Sequence, residues 1–105
     1  MSAPDFTREE YEARLARLRQ AMREVGVTAM LIDDAEILAY YTGHERSVSF
    51  YRACIIPLAG EPLMVLRTLD VAPFEEACWF QHHLAYADTD DPVAAVVRGI
   101  GRMEL

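Results

Sequence analysis

Lysine and asparagine are absent from this chain of 105 residues, and its ten basic residues are all arginine. Seventeen acidic residues give a net charge of −7 at neutral pH, which disfavours binding to nucleic acid or to an anionic membrane. No apolar run approaches the roughly 18 residues that a membrane-spanning helix needs. The N-terminus also lacks the basic and apolar blocks of a secretory signal. We therefore expect a cytoplasmic protein that binds neither nucleic acid nor a membrane.

Cysteine and histidine are too few and too scattered to suggest a metal site. The only cysteines, Cys54 and Cys78, form no CxxC motif, so we expect two buried free thiols in a reducing compartment. His82 and His83 are adjacent and would point in different directions on any regular element. The sequence contains no HExxH, phosphate-binding loop, GxGxxG or GxSxG motif. We predict no metal ligand in this chain.

Nucleophilic catalysis has little support from the sequence. His44 stands three and five residues before Ser47 and Ser49, which would allow a nucleophile–base pair. That spacing arises easily by chance, so we expect no catalytic role for His44. Cys54 lies in a predicted buried strand without an activating partner. We therefore predict no catalytic residue in this chain.

The first predicted helix has clear start and stop signals. Thr7 and Glu10 form a capping box, and Phe6 and Tyr11 occupy the two positions of a hydrophobic staple. Gly26 supplies the stop. Apolar residues at helical spacing predict a core-facing stripe: Tyr11, Leu15, Leu18, Met22 and Val25.

A buried strand over residues 28–32 and a short second helix are expected next. Either Asp33 or Asp34 should cap that helix, although paired aspartates could also serve a metal or acid site. Two further strands, residues 49–56 and Leu63–Arg67, then form a hairpin around a loop that contains glycine and proline.

The remaining segments complete an α/β pattern. Asp70 should cap a third helix with its body at residues 74–80, followed by a short strand at residues 84–86. The pair Asp91–Pro92 is typical of a helix start. In this last helix we expect a buried stripe of Val93, Val96, Val97 and Ile100.

Gly99 and Gly101 should break the last helix, and residues 102–105 look like the beginning of another strand. The predicted order is therefore α-β-α-β-β-α-β-α, which indicates a mixed α/β sheet with a central hairpin, flanked by helices. We interpret residues 1–105 as one domain, truncated from a longer chain.

Arg52 is the most promising ligand contact. On an extended strand, Phe50 and Arg52 share one face. A guanidinium beside an aromatic ring suits a carboxylate, because the fork donates two parallel hydrogen bonds and the ring excludes water. The alternative is an arginine on an edge strand that forms a salt bridge or extends to solvent.

Five short segments, taken in order, resemble one known family. They read Phe-Thr-x-Glu-Glu-Tyr-x-x-Arg-Leu-x-x-Leu-Arg, Gly-Val-x-Ala-Met-Leu-Ile, Ile-Leu-x-Tyr-Tyr-Thr-Gly, Ile-Ile-Pro-Leu-Ala-Gly-Glu-Pro and Tyr-Ala-Asp-Thr-Asp-Asp-Pro-Val. In order and spacing they resemble the N-terminal domain of the creatinase and Xaa-Pro peptidase (prolidase) family. The resemblance covers nearly the whole chain.

This resemblance implies a mixed α/β domain without catalytic residues of its own. In the family, a C-terminal domain of pita-bread fold holds either the metal ligands of the peptidases or the catalytic histidine of creatinase. The implied cofactor of such a peptidase is a dinuclear centre of Mn, Co or Zn in that missing domain. The family also implies a homodimer in which the N-terminal domain reaches over the neighbouring active site.

A Phe-x-Arg pattern in creatinase-like members matches Phe50 and Arg52, which implies that these residues help to hold the substrate carboxylate. Xaa-Pro peptides, creatine and other amides all remain open as the substrate. A different hypothesis is a free-standing acidic α/β module that binds a ligand or a partner protein. Such a module would have a ligand-sized pocket within one chain.

Overall fold

The structure is a computed structural model that describes residues 6–44, 51–103 and Leu105. Within these residues, four strands form one mixed sheet in the spatial order β1-β2-β3-β4. The strands are β1 (Ala29–Ile32), β2 (Ala53–Pro57), β3 (Leu63–Arg67) and β4 (His83–Tyr86). The helices are α1 (Arg8–Val25), α2 (Ala35–Thr42), α3 (Val71–Ala77) and α4 (Pro92–Arg102), with a 3-10 turn at Thr68–Asp70.

The predicted mixed α/β fold is confirmed. β2 pairs antiparallel with β1 and β3, which makes the central hairpin, whereas β3 and β4 run parallel. Parallel neighbours need a crossover connection, and α3 supplies it between β3 and β4. As a result β1, β3 and β4 share one direction and β2 runs against them.

The sheet separates two hydrophobic cores. In β2, Cys54 and Ile56 face a first core that is completed by α1, α2 and α3. Ala53 and Ile55 face a second core that is completed by α4, and Tyr51 packs against it. The alternation predicted for this strand is therefore confirmed for Ala53 to Ile56, and Tyr51 lies on the predicted side. The predicted start is wrong for the described residues, because β2 begins at Ala53 and leaves Tyr51 and Arg52 just before it. Phe50 lies outside the described residues.

The start of α1 follows the predicted cap. The Thr7 hydroxyl accepts from the backbone N–H of Glu10 at 3.2 Å, and the rings of Phe6 and Tyr11 meet edge to face at 6.2 Å. Gly26 ends the helix in the left-handed region with φ of 76°, which a residue with a Cβ rarely adopts. The prediction that Val25 belongs to the buried stripe is wrong, because this residue is 74% exposed in the last turn of α1.

The face that α4 presents to the sheet differs from the predicted one. Ala95, Val96 and Gly99 are buried, whereas Val93 and Val97 are more than 60% exposed. The small residues let the helix lie close to the sheet. A Cβ built on Gly99 would stand 3.0 Å from a Leu63 methyl group. Gly99 therefore does not break the helix but allows it to pack.

Several predicted boundaries are also wrong. Helix α4 continues through Gly101 to Arg102, so no strand begins there. Strand β1 pairs only with β2 among the described strands, and Leu31 is 49% exposed, so β1 is an edge strand rather than a buried one. Asp70 makes no capping hydrogen bond, because its carboxylate pairs with Arg67 instead.

Candidate functional site

Several polar residues, including Arg52 and Asp33, lie at one end of the strands of the sheet. The carboxyl ends of β1, β3 and β4 meet there, beside the amino end of β2. In α/β sheets, ligands bind preferentially outside the carboxyl ends of the parallel strands. Arg52 directly precedes β2 and therefore lies at this end of the strands.

Arg52 is half-buried, and its Nε is fully buried. That Nε has no hydrogen-bond partner among the described residues. A buried donor without a partner costs about 1–3 kcal/mol, so most such donors in native proteins are satisfied. The Arg52 side chain thus retains hydrogen-bonding capacity that the described part of the domain does not use.

Tyr51, the residue before Arg52, is held at two points. Its phenol donates to the Asp33 carboxylate at 2.9 Å, and its backbone carbonyl accepts from the phenol of Tyr86. Burial, followed by the hydrogen bond to Asp33, raises the pKa of Tyr51 to about 12. Burial also raises the pKa of Tyr86. Both phenols are therefore neutral donors at physiological pH.

An ion-pair cluster anchors the neighbouring strand end. The guanidinium of Arg67 lies 3.2 Å from the carboxylate of Asp70 and 3.6 Å from that of Asp88. The Thr68 hydroxyl donates to the Tyr86 carbonyl at 3.1 Å. These contacts hold the ends of β3 and β4 together next to the Tyr51 segment.

The last turn of α2, which leads into the segment before Arg52, is fixed from outside. Arg14 is only 7% exposed and donates from Nη1 to the Tyr40 carbonyl at 2.8 Å. The indole of Trp79 donates to the Tyr41 carbonyl at the same distance. Gly43 follows in the left-handed region, and a Cβ there would stand 2.8 Å from the Ala77 carbonyl oxygen.

Asp33, Asp34 and His44 make contacts within the domain. Asp34 caps α2 by accepting from the Ile37 N–H at 3.1 Å, which leaves Asp33 to receive the Tyr51 phenol. His44 is buried, with its ring centroid 6.0 Å from that of Phe74. The serines considered with it fall outside the described residues.

Neither cysteine is suited to nucleophilic chemistry. Both are buried free thiols, as predicted. Burial raises the pKa of Cys78 to about 12 and that of Cys54 well above its ordinary value. A reactive cysteine needs its thiolate near neutral pH. Across residues 6–44, 51–103 and 105, no group of three His, Cys, Asp or Glu side chains could hold a metal ion.

An open cleft lies at the opposite end of the strands from Arg52. It has a volume of about 610 Å³ between α1 and the β2–β3 loop, with Arg8, Arg19 and Arg23 on its helix side. Arg19 donates to the carbonyls of Pro57, at 2.8 Å, and of Gly60. The sequence analysis did not anticipate this cleft. β2 has five residues, so four rises of about 3.3 Å place its two ends about 13 Å apart.

The described part of the chain is thus a mixed-sheet α/β domain in which Arg52, at one end of the strands, has a buried donor without a partner among the described residues. A family model described as the creatinase/prolidase N-terminal domain matches residues 14–103. The chain therefore belongs to the creatinase/prolidase N-terminal domain family, as its motifs suggested. This assignment does not favour a free-standing binding module.

Similar proteins agree with this assignment. The chain is 33% identical to the ectoine hydrolase of Halomonas elongata over 75 residues, which are 70% of the chain and 19% of that protein. It is 30% identical to the probable dipeptidase PepE of Mycobacterium bovis over 106 residues, 96% of the chain and 28% of that protein. The chain thus spans less than a third of either relative.

A solved structure shows the same fold. The N-terminal domain of an Xaa-Pro dipeptidase from Lactobacillus brevis superposes with a TM-score of 0.78 at 16% identity, covering 88% of this chain and 69% of that one. No helix among the described residues is both long enough and apolar enough to cross a membrane.

Proposed function

We propose that this chain is the non-catalytic N-terminal domain of a dimeric hydrolase of the creatinase and Xaa-Pro peptidase kind. In this proposal Arg52 contacts the substrate that the neighbouring subunit binds. The supporting observation is the buried Arg52 Nε, which has no partner among the described residues. Phe50 belongs to the proposal as the aromatic neighbour of Arg52, and its position is outside the described residues.

The chemistry of the relatives supports a carboxylate as the group that Arg52 contacts. Their names specify a dipeptidase and an ectoine hydrolase, and both dipeptides and ectoine carry a carboxylate. A guanidinium binds a carboxylate through charge-assisted hydrogen bonds, which are about twice as strong as neutral ones. A dipeptide, including one with proline in second position, is the substrate class that we propose.

The groups that break the substrate bond belong, in this proposal, to a further domain. So does the dinuclear centre of Mn, Co or Zn that the family implies. The described residues of this chain provide no set of three metal ligands. In this proposal the chain contributes by binding and orienting the substrate. Metal analysis of the whole protein and of the isolated chain should find the metal only in the former.

The direct test is Arg52→Ala in the whole protein, assayed with dipeptide substrates. Loss of a charge-assisted pair costs about 1.5–3 kcal/mol, so kcat/KM should fall about 10- to 150-fold. Most of the change should appear in KM, because the carboxylate takes no part in breaking the bond and its contact with Arg52 stabilises ground state and transition state alike.

Two control variants sharpen this test. Arg52→Lys keeps the charge but loses the planar fork and should show an intermediate loss. Arg98→Ala removes an exposed arginine from α4 and should leave the kinetics unchanged. Unchanged kinetics in Arg52→Ala would remove Arg52 from the site and contradict the proposal.

A further inference from the structure

The backbone of Arg52 lies just beyond the paired part of the sheet. The β1–β2 ladder ends at the Ile32↔Cys54 pair, and the β2–β3 ladder ends at Ala53↔Val65. Ladder hydrogen bonds therefore do not fix Arg52 from either side. An arginine that receives a carboxylate must be held in place, since a shift of about 1 Å can greatly reduce the rate of a reaction.

Tyr51 supplies the constraint that the ladders do not. Its phenol donates a hydrogen bond to Asp33 just after β1, and its backbone carbonyl accepts one from the Tyr86 phenol at the end of β4. The two anchors come from the two outer strands, and they act on the side chain and on the backbone of the same residue. Because Tyr51 is covalently joined to Arg52, the two bonds restrain Arg52 as well.

We propose that Asp33 and Tyr86 are positioning residues that act through Tyr51 to present the Arg52 guanidinium to the substrate carboxylate. The inference rests on the proposed function of Arg52. None of the three residues needs to touch the substrate. Each would influence binding only while Arg52 is present.

The alternative role for these residues is general stability of the domain. Tyr51 packs against the second core and Tyr86 is a member of it, so a substitution that shrinks either ring would unfold part of the structure. Tyr86→Phe and Tyr51→Phe keep the rings and remove one hydroxyl each. Asp33 is exposed, so Asp33→Ala removes an anchor without disturbing a core.

A double-mutant cycle in the whole protein separates the two roles. Tyr86→Phe alone should raise KM for a dipeptide about 3- to 10-fold with little change in kcat. In the Arg52→Ala background, the same substitution should change KM less than about 2-fold, because the residue through which it acts is gone. Asp33→Ala should behave in the same way, with partial recovery in Asp33→Asn, whose amide oxygen can still accept from Tyr51.

A spectroscopic measurement on the 105-residue chain tests the contact without substrate. The pKa of Tyr51 is raised to about 12 partly by Asp33, so Asp33→Ala should lower it in a titration of phenolate absorbance. Tyr51→Phe identifies which transition belongs to Tyr51. The control Tyr40→Phe removes an exposed phenol that forms no hydrogen bond with the described residues.

The outcomes distinguish this inference from the proposed function. If Arg52→Ala raises KM but Tyr86→Phe and Asp33→Ala do not, positioning through Tyr51 is wrong and the role of Arg52 stands. If the tyrosine effect persists in full after Arg52 is removed, the tyrosines act on general stability and the inference is again wrong. If Arg52→Ala itself has no effect on the kinetics, both proposals are overturned.

Discussion

Replacing Arg14 with methionine should remove a polar link between α1 and the end of α2. The guanidinium donates to the Tyr40 carbonyl at 2.8 Å and lies 4.1 Å from the centre of the Tyr40 ring. It also lies 4.4 Å from the centre of the Phe6 ring and forms an ion pair of 3.5 Å with Glu10. Methionine has a similar length and fills much of the same space without donating.

The expected loss follows from these contacts. A hydrogen bond from a charged donor contributes about 1.5–3 kcal/mol, and a partly desolvated cation–π contact about 0.5–2 kcal/mol. The exposed carboxylate of Glu10 adds little, because solvent screens it. Methionine avoids the dehydration of a charged group and removes the buried Arg14 Nε, which has no hydrogen-bond partner among the described residues. Both effects offset part of the loss. We expect a net destabilisation of about 2–4 kcal/mol.

Urea unfolding followed by fluorescence is a suitable assay, because the only tryptophan, Trp79, donates to the Tyr41 carbonyl at the same helix end. With an m-value of about 1–2 kcal/mol/M, the midpoint should fall by about 1–4 M. Arg17→Met, at an exposed position of α1, is the matched control and should change little. Equal midpoints for the Arg14 and Arg17 variants would refute the assigned role of Arg14.

Three further predictions concern stability and reactivity. Gly101→Ala should stabilise the protein by about 0.5–1 kcal/mol in urea unfolding, because α4 has open space there. Gly99→Ala should not stabilise the protein, because the new Cβ would stand 3.0 Å from a methyl group of the core. Equal effects of the two substitutions would contradict this packing. Cys54 and Cys78 should react with iodoacetamide at pH 8 only when urea unfolds the chain, and rapid labelling of the native protein would show that they are accessible. Burial and the hydrogen bond to Asp33 raise the pKa of Tyr51 from 10 to about 12. The neutral Tyr51 phenol therefore contributes fully to stability below pH 10, and this contribution is lost as the pH rises from 10 to 12. Tyr51→Phe should flatten that part of the pH profile of the free energy of unfolding, and an unchanged slope would contradict the assignment.

Local signals in the sequence were sufficient to predict where most elements begin. The Thr7 cap, the stop at Gly26 and the Asp91–Pro92 start each depend on a few adjacent residues, and the structure confirms all three. The boundaries of β3 were also correct, because an apolar run follows a proline at residue 62. Short-range hydrogen bonding and backbone preference decide such features.

The face that a helix buries was harder to predict. In α4 the hydrophobic pattern favoured Val93 and Val97, yet the sheet is met by Ala95 and Gly99. Size decided the outcome, because small residues permit a closer approach between helix and sheet. The prediction failed because side-chain hydrophobicity does not indicate how close two layers pack.

The contacts around the candidate site depend on residues far apart in the chain. Arg14 and Tyr40 are 26 positions apart, and Tyr51 and Tyr86 are 35 positions apart. No local pattern marks these pairs, so the buried Arg14 and the doubly anchored Tyr51 could not be predicted. Arg52 was identified as a candidate because an arginine in an apolar strand is unusual, and its role as a substrate contact stays a prediction.

The central claim is that Arg52 of one subunit serves the active site of the other. The most direct measurement mixes two inactive or impaired forms of the whole protein. One form carries Arg52→Ala with an intact catalytic domain, and the other retains Arg52 but has an inactivated catalytic domain. Subunit exchange creates mixed dimers in which one active site faces an intact Arg52.

Dipeptide hydrolysis by this mixture, measured at low substrate concentration, should rise well above the sum of the separate forms. With equal amounts of the two forms, on the order of a quarter of the active sites should recover a normal KM. Activity that only equals the sum of the separate forms, after subunit exchange has been verified, would contradict a contact across the dimer.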